Sequence, residues 1–372
     1  MRHIVVESIL IAALVGSPAL AETEHASEPD RYCVTEIGDL PGRTSHSYAQ
    51  DINERGQVLG NTIVADRSRV FIWDRNHGTV DFTAPTNAAN FAAMRINDSG
   101  QIVGTRYTGV ENEIIRAVLW DPVRGFLDLG TLPGDTQSGG GALNNRGQVV
   151  GSSVTGFEGT IHGFLWDKRF GMRALPDLPG SIGGNITTDI NDAGEVAGRV
   201  TTVAGVRAYI WDRHNGIRAI GSLPEGSGYS GANGLNERGE VVGTSSFGDG
   251  DGLHAFVWNS ADGMVDLGDW PGGREYSQAL AINDGSHIVG FATDEDDLSA
   301  ALWDARRRMH DLNELIDRAR PETQFVRVTL ATAINNAGWI AAIGGDSRDD
   351  TIQRSYVLIP QMRGGRGPSA CR

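Results

Sequence analysis

One string recurs seven times along the chain: an apolar residue and asparagine, two variable residues, glycine, one variable residue, two apolar residues and glycine again, with some variation between copies. Its asparagines are Asn53, Asn97, Asn144, Asn191, Asn236, Asn283 and Asn335, spaced 44, 47, 47, 45, 47 and 52 residues apart. A second string, apolar and aromatic residues ending in Trp-Asp, follows each asparagine by 20 to 23 residues. It places Trp73, Trp120, Trp166, Trp211, Trp258 and Trp303, with Leu358 in the last copy. Two markers in phase over seven copies mean that one supersecondary unit is reused, and a unit this small buries its apolar face only by stacking on its neighbours.

Each copy divides into four segments of four to eight residues, rich in β-branched and aromatic side chains and bounded by Gly, Asn, Asp or Pro. These read as short strands joined by tight turns. The glycine three residues after the asparagine supplies the positive φ of a hairpin. In the sixth copy the order is Gly285-Ser286, which predicts a different turn there. Four strands per unit of about 45 residues, repeated radially, predict an all-β seven-bladed β-propeller over residues 32–360. The seventh copy ends at its third strand, Arg354 to Pro360, while the repeat region begins with an orphan fourth strand, Val34 to Leu40. The N-terminal strand is therefore expected to complete the last blade and close the ring.

The ends carry a different message. Residues 1–21 have a basic start, a short apolar run and a small-residue site at Ala19-Leu20-Ala21, which is the pattern of a secretory signal. The expectation is a secreted or periplasmic protein, without membrane insertion, with residues 22–31 as a flexible start and 361–372 as a tail. The two cysteines, Cys33 and Cys371, stand one near each end. In an exported chain an even pair reads as a disulfide, here one that fastens the closed ring.

The string His254-Ala255-Phe256-Val257-Trp258, with Leu267-Gly268, Pro271-Gly272 and Ile282-Asn283 around it, resembles the HAF-type extracellular repeat family of bacteria. The resemblance spans residues 32–360. Histidine leads the third strand only at His162 and His254, with Arg69, Arg116, Arg207, Arg354 and Ser299 in the other copies. What the resemblance implies is an exported repeat protein with no general activity attached to it.

Composition narrows function. The formal net charge is -15 among 372 residues, and Lys168 is the single lysine. Nucleic-acid binding is excluded as a first reading, and lysine-dependent chemistry is nearly so. Glycine, at 50 residues, fits dense tight turns. No zinc-protease, phosphate-loop or nucleophile-elbow motif is present. Asp249-Gly250-Asp251-Gly252 is the nearest approach to a calcium loop and lacks its full ligand set, so neither metal nor cofactor is expected.

The turns after first and third strands are monotonous and answer backbone requirements. The connections on the opposite face vary, as binding loops on a rigid scaffold do. Those approaching the channel hold Arg43, His46, Tyr48, Gln137, Ser138, Asn185, Tyr229, Arg274, Glu275 and Tyr276, which are the candidate ligand-binding residues. The six tryptophans are expected to pack between blades, and Trp339, where other copies have Gln, Glu or His, to cap the insertion before it or lie exposed. The functional expectation is a monomeric binding module for a glycan or an extracellular protein. The alternative is a polysaccharide hydrolase or lyase using Tyr276, Arg274, Glu275 and His46 at the channel mouth.

Overall fold

The computed structural model describes residues 31–361, apart from loop segments at 41–43, 65–66, 84–89, 109–113, 157–158, 225, 249–251, 273–275 and 295–296. The described chain forms seven four-stranded antiparallel sheets. In blade 1 the strands run outward as Thr44–Ile52, Val58–Val64, Arg67–Asp74 and Gly78–Asp81. Five further blades repeat this order. Blade 7 joins Val326–Ile334, Ile340–Asp346 and Asp349–Gln361 to the N-terminal strand Arg31–Ile37, which lies outermost with Val34 opposite Leu358. Closure by the N-terminal strand is thus the observed topology. Cys33 is buried in that strand, and Cys371 and residues 1–30, with the expected secretory signal, lie outside the described residues. No described helix is long and apolar enough to cross a membrane.

The repeated asparagine explains both its own turn and the ring. Its Oδ1 accepts the backbone N–H four residues on in every copy and the one two residues on in four of them, as Asn53 does from Gln57 and Arg55 at 2.9 and 3.1 Å. Its Nδ2 donates across the blade boundary to the main-chain oxygen of the next repeated asparagine. The series runs Asn53 to Asn97 (3.0 Å), Asn97 to Asn144 (3.1 Å), Asn144 to Asn191 (2.9 Å) and Asn191 to Asn236 (3.1 Å). It continues Asn236 to Asn283 (3.1 Å), Asn283 to Asn335 (3.0 Å) and Asn335 back to Asn53 (3.1 Å). Seven buried amides form a closed circle. The sixth turn keeps this geometry: Ser286 takes φ 57° and its N–H reaches Asn283 O at 3.0 Å, as the glycines do elsewhere. The expected difference is therefore confined to side chain, not backbone.

The Trp-Asp string has a similar logic. Asp74 Oδ1 accepts the N–H groups of Asn76 and His77, and Asp121, Asp167 and Asp212 cap their own turns in the same way. The tryptophans themselves are wholly or largely buried in the packing between blades. In the six copies that keep it, the second glycine of the string is needed by close approach: a Cβ on Gly104 would stand 2.1 Å from Ala92 O, and one on Gly151 2.1 Å from Gly139 O, while the seventh copy has Ala342 there.

Trp339 belongs to the seam between last and first blades. A Cβ on Gly56 would lie 2.8 Å from its ring, so the half-buried indole covers the blade 1 turn, neither standing free nor capping the insertion. The insertion itself carries a short helix, Leu312–Leu315, and bridges through Ile316 to Tyr32. It packs between blades 6 and 7, where Asn313 accepts the Val328 N–H at 2.8 Å and donates to Val328 O at 2.9 Å, and none of its described residues lines the axial cavity.

Replacing one amide of the circle tests its weight. Asn191→Ala removes bonds to Asn236 O, the Glu195 carboxylate and the Glu195 N–H. At roughly 1 kcal/mol each it should lower stability by about 2–4 kcal/mol in urea unfolding, against under about 0.5 kcal/mol for the exposed Arg55→Ala.

Candidate functional site

The inner strands wall an axial channel, and a β-bulge in every one of them shapes it. The register slips between Ala49 and Asp51, Ala93 and Arg95, Gly140 and Ala142, Thr187 and Asp189, Ala232 and Gly234, Ala279 and Ala281, and Ala331 and Ala333. The skipped residue is always the one three before the repeated asparagine. These seven, Gln50, Met94, Gly141, Thr188, Asn233, Leu280 and Thr332, all line one cavity of about 740 Å³. A bulge leaves its residue outside the ladder and turns the side chain to a new direction, here the lumen.

Tyr48, Ser152 and Arg199 add polar groups to the same wall. Tyr48 and Gln50 belong to blade 1, while Arg199 and Asn233 belong to blades 4 and 5, across the sevenfold ring. The Gln50 Oε1 is buried with no hydrogen-bond partner. Neither the Tyr48 hydroxyl nor the Arg199 guanidinium pairs with another described residue. The wall is thus rich in uncommitted donors and acceptors. A volume in the range of about 300–1,000 Å³ suits a small ligand.

Toward the turn face the channel narrows to a space of about 190 Å³ that shares Arg95, Leu280 and Thr332 with the cavity. Asp51, Arg95 and Asp189 line this constriction. Asp51 accepts the Ile96 N–H at 2.7 Å, Asp189 accepts the Leu235 N–H at 2.8 Å, and Arg95 stands 4.0 Å from Asp51. Burial pushes the Asp189 carboxyl up to about 6, with Arg95 opposing the shift, and burial raises Asp51 as well. At the turn-face rim a second circle closes. The residue after each repeated asparagine donates its N–H to the side chain of its counterpart one blade on, from Glu54 to Asp98 at 2.8 Å round to Asn336, whose N–H returns to Glu54 at 3.1 Å. These carboxylates are occupied by structure, and among the described residues no group of His, Cys, Asp or Glu is arranged to hold a metal ion.

The loop-face candidates separate into four groups. Arg43, Arg274 and Glu275 lie outside the described residues, as do Asp249 and Asp251. Ser138 and Asn185 are buried and committed: Ser138 accepts the Ala117 N–H at 2.9 Å and donates to Gly130 O, and Asn185 receives the Tyr209 hydroxyl at 2.8 Å. Ser230 and Ser277 repeat the Ser138 arrangement in other blades, so these positions pin strands together and leave nothing for a ligand. His46, Gln137, Tyr229 and Tyr276 each stand seven residues before a repeated asparagine. His46 is two residues before Tyr48, so the two share a strand face, and their rings stack at 6.3 Å. The His46 ring accepts the Gln353 N–H at 3.2 Å, and Gln278 Nε2 donates to the Tyr276 hydroxyl at 2.8 Å. Tyr48 is the one candidate that the structure places on the cavity wall itself.

Three of the six third-strand basic residues pair with the fourth strand of their own blade, while His162 meets the loop residue Asp135 at 3.1 Å and Arg116 and Arg207 donate to main-chain oxygens. Arg69 meets Asp81, His254 meets Asp266 at 3.0 Å, Arg354 meets Glu36 at 3.2 Å, and Ser299 donates to Asp311 at 2.9 Å. Arg199 escaped the sequence reading. It sits eight residues after Asn191, where the other copies have Asn61, Thr105, Ser152, Thr244, Phe291 and Ile343. An alignment of the repeats against one another would have exposed it as the one charge in its column.

The fold and cavity together define a seven-bladed β-propeller with an axial pocket opening toward the loop face. No protein-family model and no curated protein sequence matches the chain. Among solved structures it is similar to virginiamycin B lyase from Staphylococcus aureus, at 10% identity and a TM-score of 0.52, over 88% of this chain and 98% of that one. It is also similar to an acylaminoacyl peptidase from Pyrococcus horikoshii, at 10% identity and a TM-score of 0.51, over 81% of this chain and 49% of that one. At such identity the likeness shows the fold alone.

The Asp189 shift has a testable sign. A carboxyl whose folded pKa lies above its unfolded value contributes stability below pH 4 that is lost as pH rises through about 6. Asp189→Asn keeps an acceptor for Leu235 and removes the titration. Its stability relative to the parent should therefore rise between pH 4 and pH 7, by on the order of 3 kcal/mol, in urea unfolding at both pH values.

Proposed function

We propose that the chain is an exported binding module of the HAF-type repeat class whose glycan ligand enters the axial cavity from the loop face. The observation that carries this reading is the cavity wall, where Gln50, Tyr48 and Arg199 present polar groups that the protein leaves unpaired. Buried polar groups without partners are costly, and a hydroxyl-rich ligand satisfies them. Tyr48 and His46 supply ring faces on which a sugar can stack. A concave pocket suits a glycan end or branch better than the flat contact of an extracellular protein. Catalysis is disfavoured because Asp51 and Asp189, the carboxylates nearest the cavity, are held by the next blade's backbone N–H groups and by Arg95.

The Ala19-Leu20-Ala21 site supports export of the mature chain to the periplasm or beyond. In that compartment Cys33 pairs with Cys371. Non-reducing peptide mapping of the exported protein should give a single cross-linked peptide containing both, and two alkylated peptides would remove the fastening.

The functional test uses Met94→Trp, which fills the lumen from a bulge position whose side chain makes no described hydrogen bond. The parent should retain at least one polysaccharide from a bacterial and plant panel without releasing new reducing or unsaturated ends. Met94→Trp should lower that retention at least tenfold with unfolding unchanged. Products from any polymer would replace the binding reading with the hydrolase or lyase one.

A further inference from the structure

Resting on that reading, we propose that the ligand is an acidic glycan, and that Arg199 seats the carboxylate of one of its uronic acid units. The repeats serve as internal controls for this residue. Arg199 lies opposite Ile186 on the second strand of blade 4, and the corresponding pairs elsewhere include Tyr48 with Asn61, Gly139 with Ser152 and Gly231 with Thr244. Only blade 4 places a charge at this level of the wall. A residue demanded by the fold would recur; this one does not, and it makes no hydrogen bond or ion pair with any described residue.

The surroundings of Arg199 are open on one side. The next inner strand presents Gly231, where a Cβ would stand 3.1 Å from the Tyr229 hydroxyl and 3.4 Å from Arg199 Cδ. The missing side chain lets the arginine stem and the tyrosine lie together. Directly opposed residues of an antiparallel pair show their side chains to the same face, so Thr244, opposite Gly231, faces this space as well. Its Oγ1 is buried without a partner in a residue only 4% exposed. A cation, a phenol and an unpaired hydroxyl thus meet between blades 4 and 5.

The second cation of the cavity is already neutralised. Arg95 stands 4.0 Å from Asp51, and its charge also acts on Asp189. Among the described residues of the cavity wall one uncompensated positive charge therefore remains, on a planar group whose paired N–H donors match a carboxylate. The rest of the wall is neutral, with Tyr48, Gln50, Thr188 and Asn233 as partners for hydroxyls. One charge among many neutral hydrogen-bonding groups is the pattern that a sugar ring bearing a single carboxylate presents in reverse.

The experiment measures binding of the mature protein to polygalacturonate, alginate, hyaluronan and glucuronoxylan, each beside its carboxyl-reduced form, by calorimetry. At least one acidic chain should bind ten-fold or more tightly than its reduced counterpart. Arg199→Gln should bring that ratio to within two-fold without moving thermal unfolding, and Arg199→Lys should keep part of it. Equal binding of both forms, blocked by Met94→Trp, would overturn the carboxylate assignment and leave the cavity reading standing. A preference that survives Arg199→Gln would overturn it too. Failure of every chain in both forms would remove the cavity reading along with it.

Discussion

The fold depends on one amide used twice. In each repeated asparagine the carbonyl oxygen organises the local turn and the amino group reaches the next blade, so local and long-range order come from the same side chain. Coupling the two makes each turn a bearing surface for its neighbour. Because the series returns from Asn335 to Asn53, no blade is terminal, and the circle has no end at which fraying can begin. The outer circle of carboxylates and backbone N–H groups follows the same path one residue later, which explains why that position is always Asp, Glu or Asn.

The two mouths of the channel are accordingly different in kind. On the turn face the polar groups are consumed by the circles that hold the blades. On the loop face the bulges turn one residue per blade toward the axis, free of the ladder and so free to vary: glutamine, methionine, glycine, threonine, asparagine or leucine occupy the same geometric place. The scaffold fixes where these side chains stand and leaves their chemistry open. That division is what allows a sevenfold frame to hold an asymmetric pocket.

The same division decides how much was legible in the sequence. Blade number, strand order and closure could be read because each is repeated: Asn53 and its six counterparts announce one requirement seven times. The pocket was harder because it is written in departures from the repeat. Tyr48 was found from its aromatic character near the channel, while Ser138 and Asn185 looked like surface polar residues, although their neighbours in space, Ala117 and Tyr209, hold them in the interior. Arg199 was missed because a single arginine in a strand attracts no notice until its column is compared across blades. Trp339 was conspicuous for the same reason that Arg199 was not, yet its partner, the Gly56 turn, is distant in sequence and close only once the ring is shut.

Closure by the N-terminal strand also sets an order of events. The pairing of Arg31 with Gln361 joins residues from opposite ends of the described chain, the most distant strand pairing among the described residues. Loop-closure entropy must be met before such a contact returns anything, so the last blade is complete only when all the others have formed. The first strand to be synthesised is then the last to find its place, and until the C-terminal strands arrive it remains an unpaired edge. The same strand that makes the finished ring seamless makes the growing chain dependent on whatever shields that edge until the ring is shut.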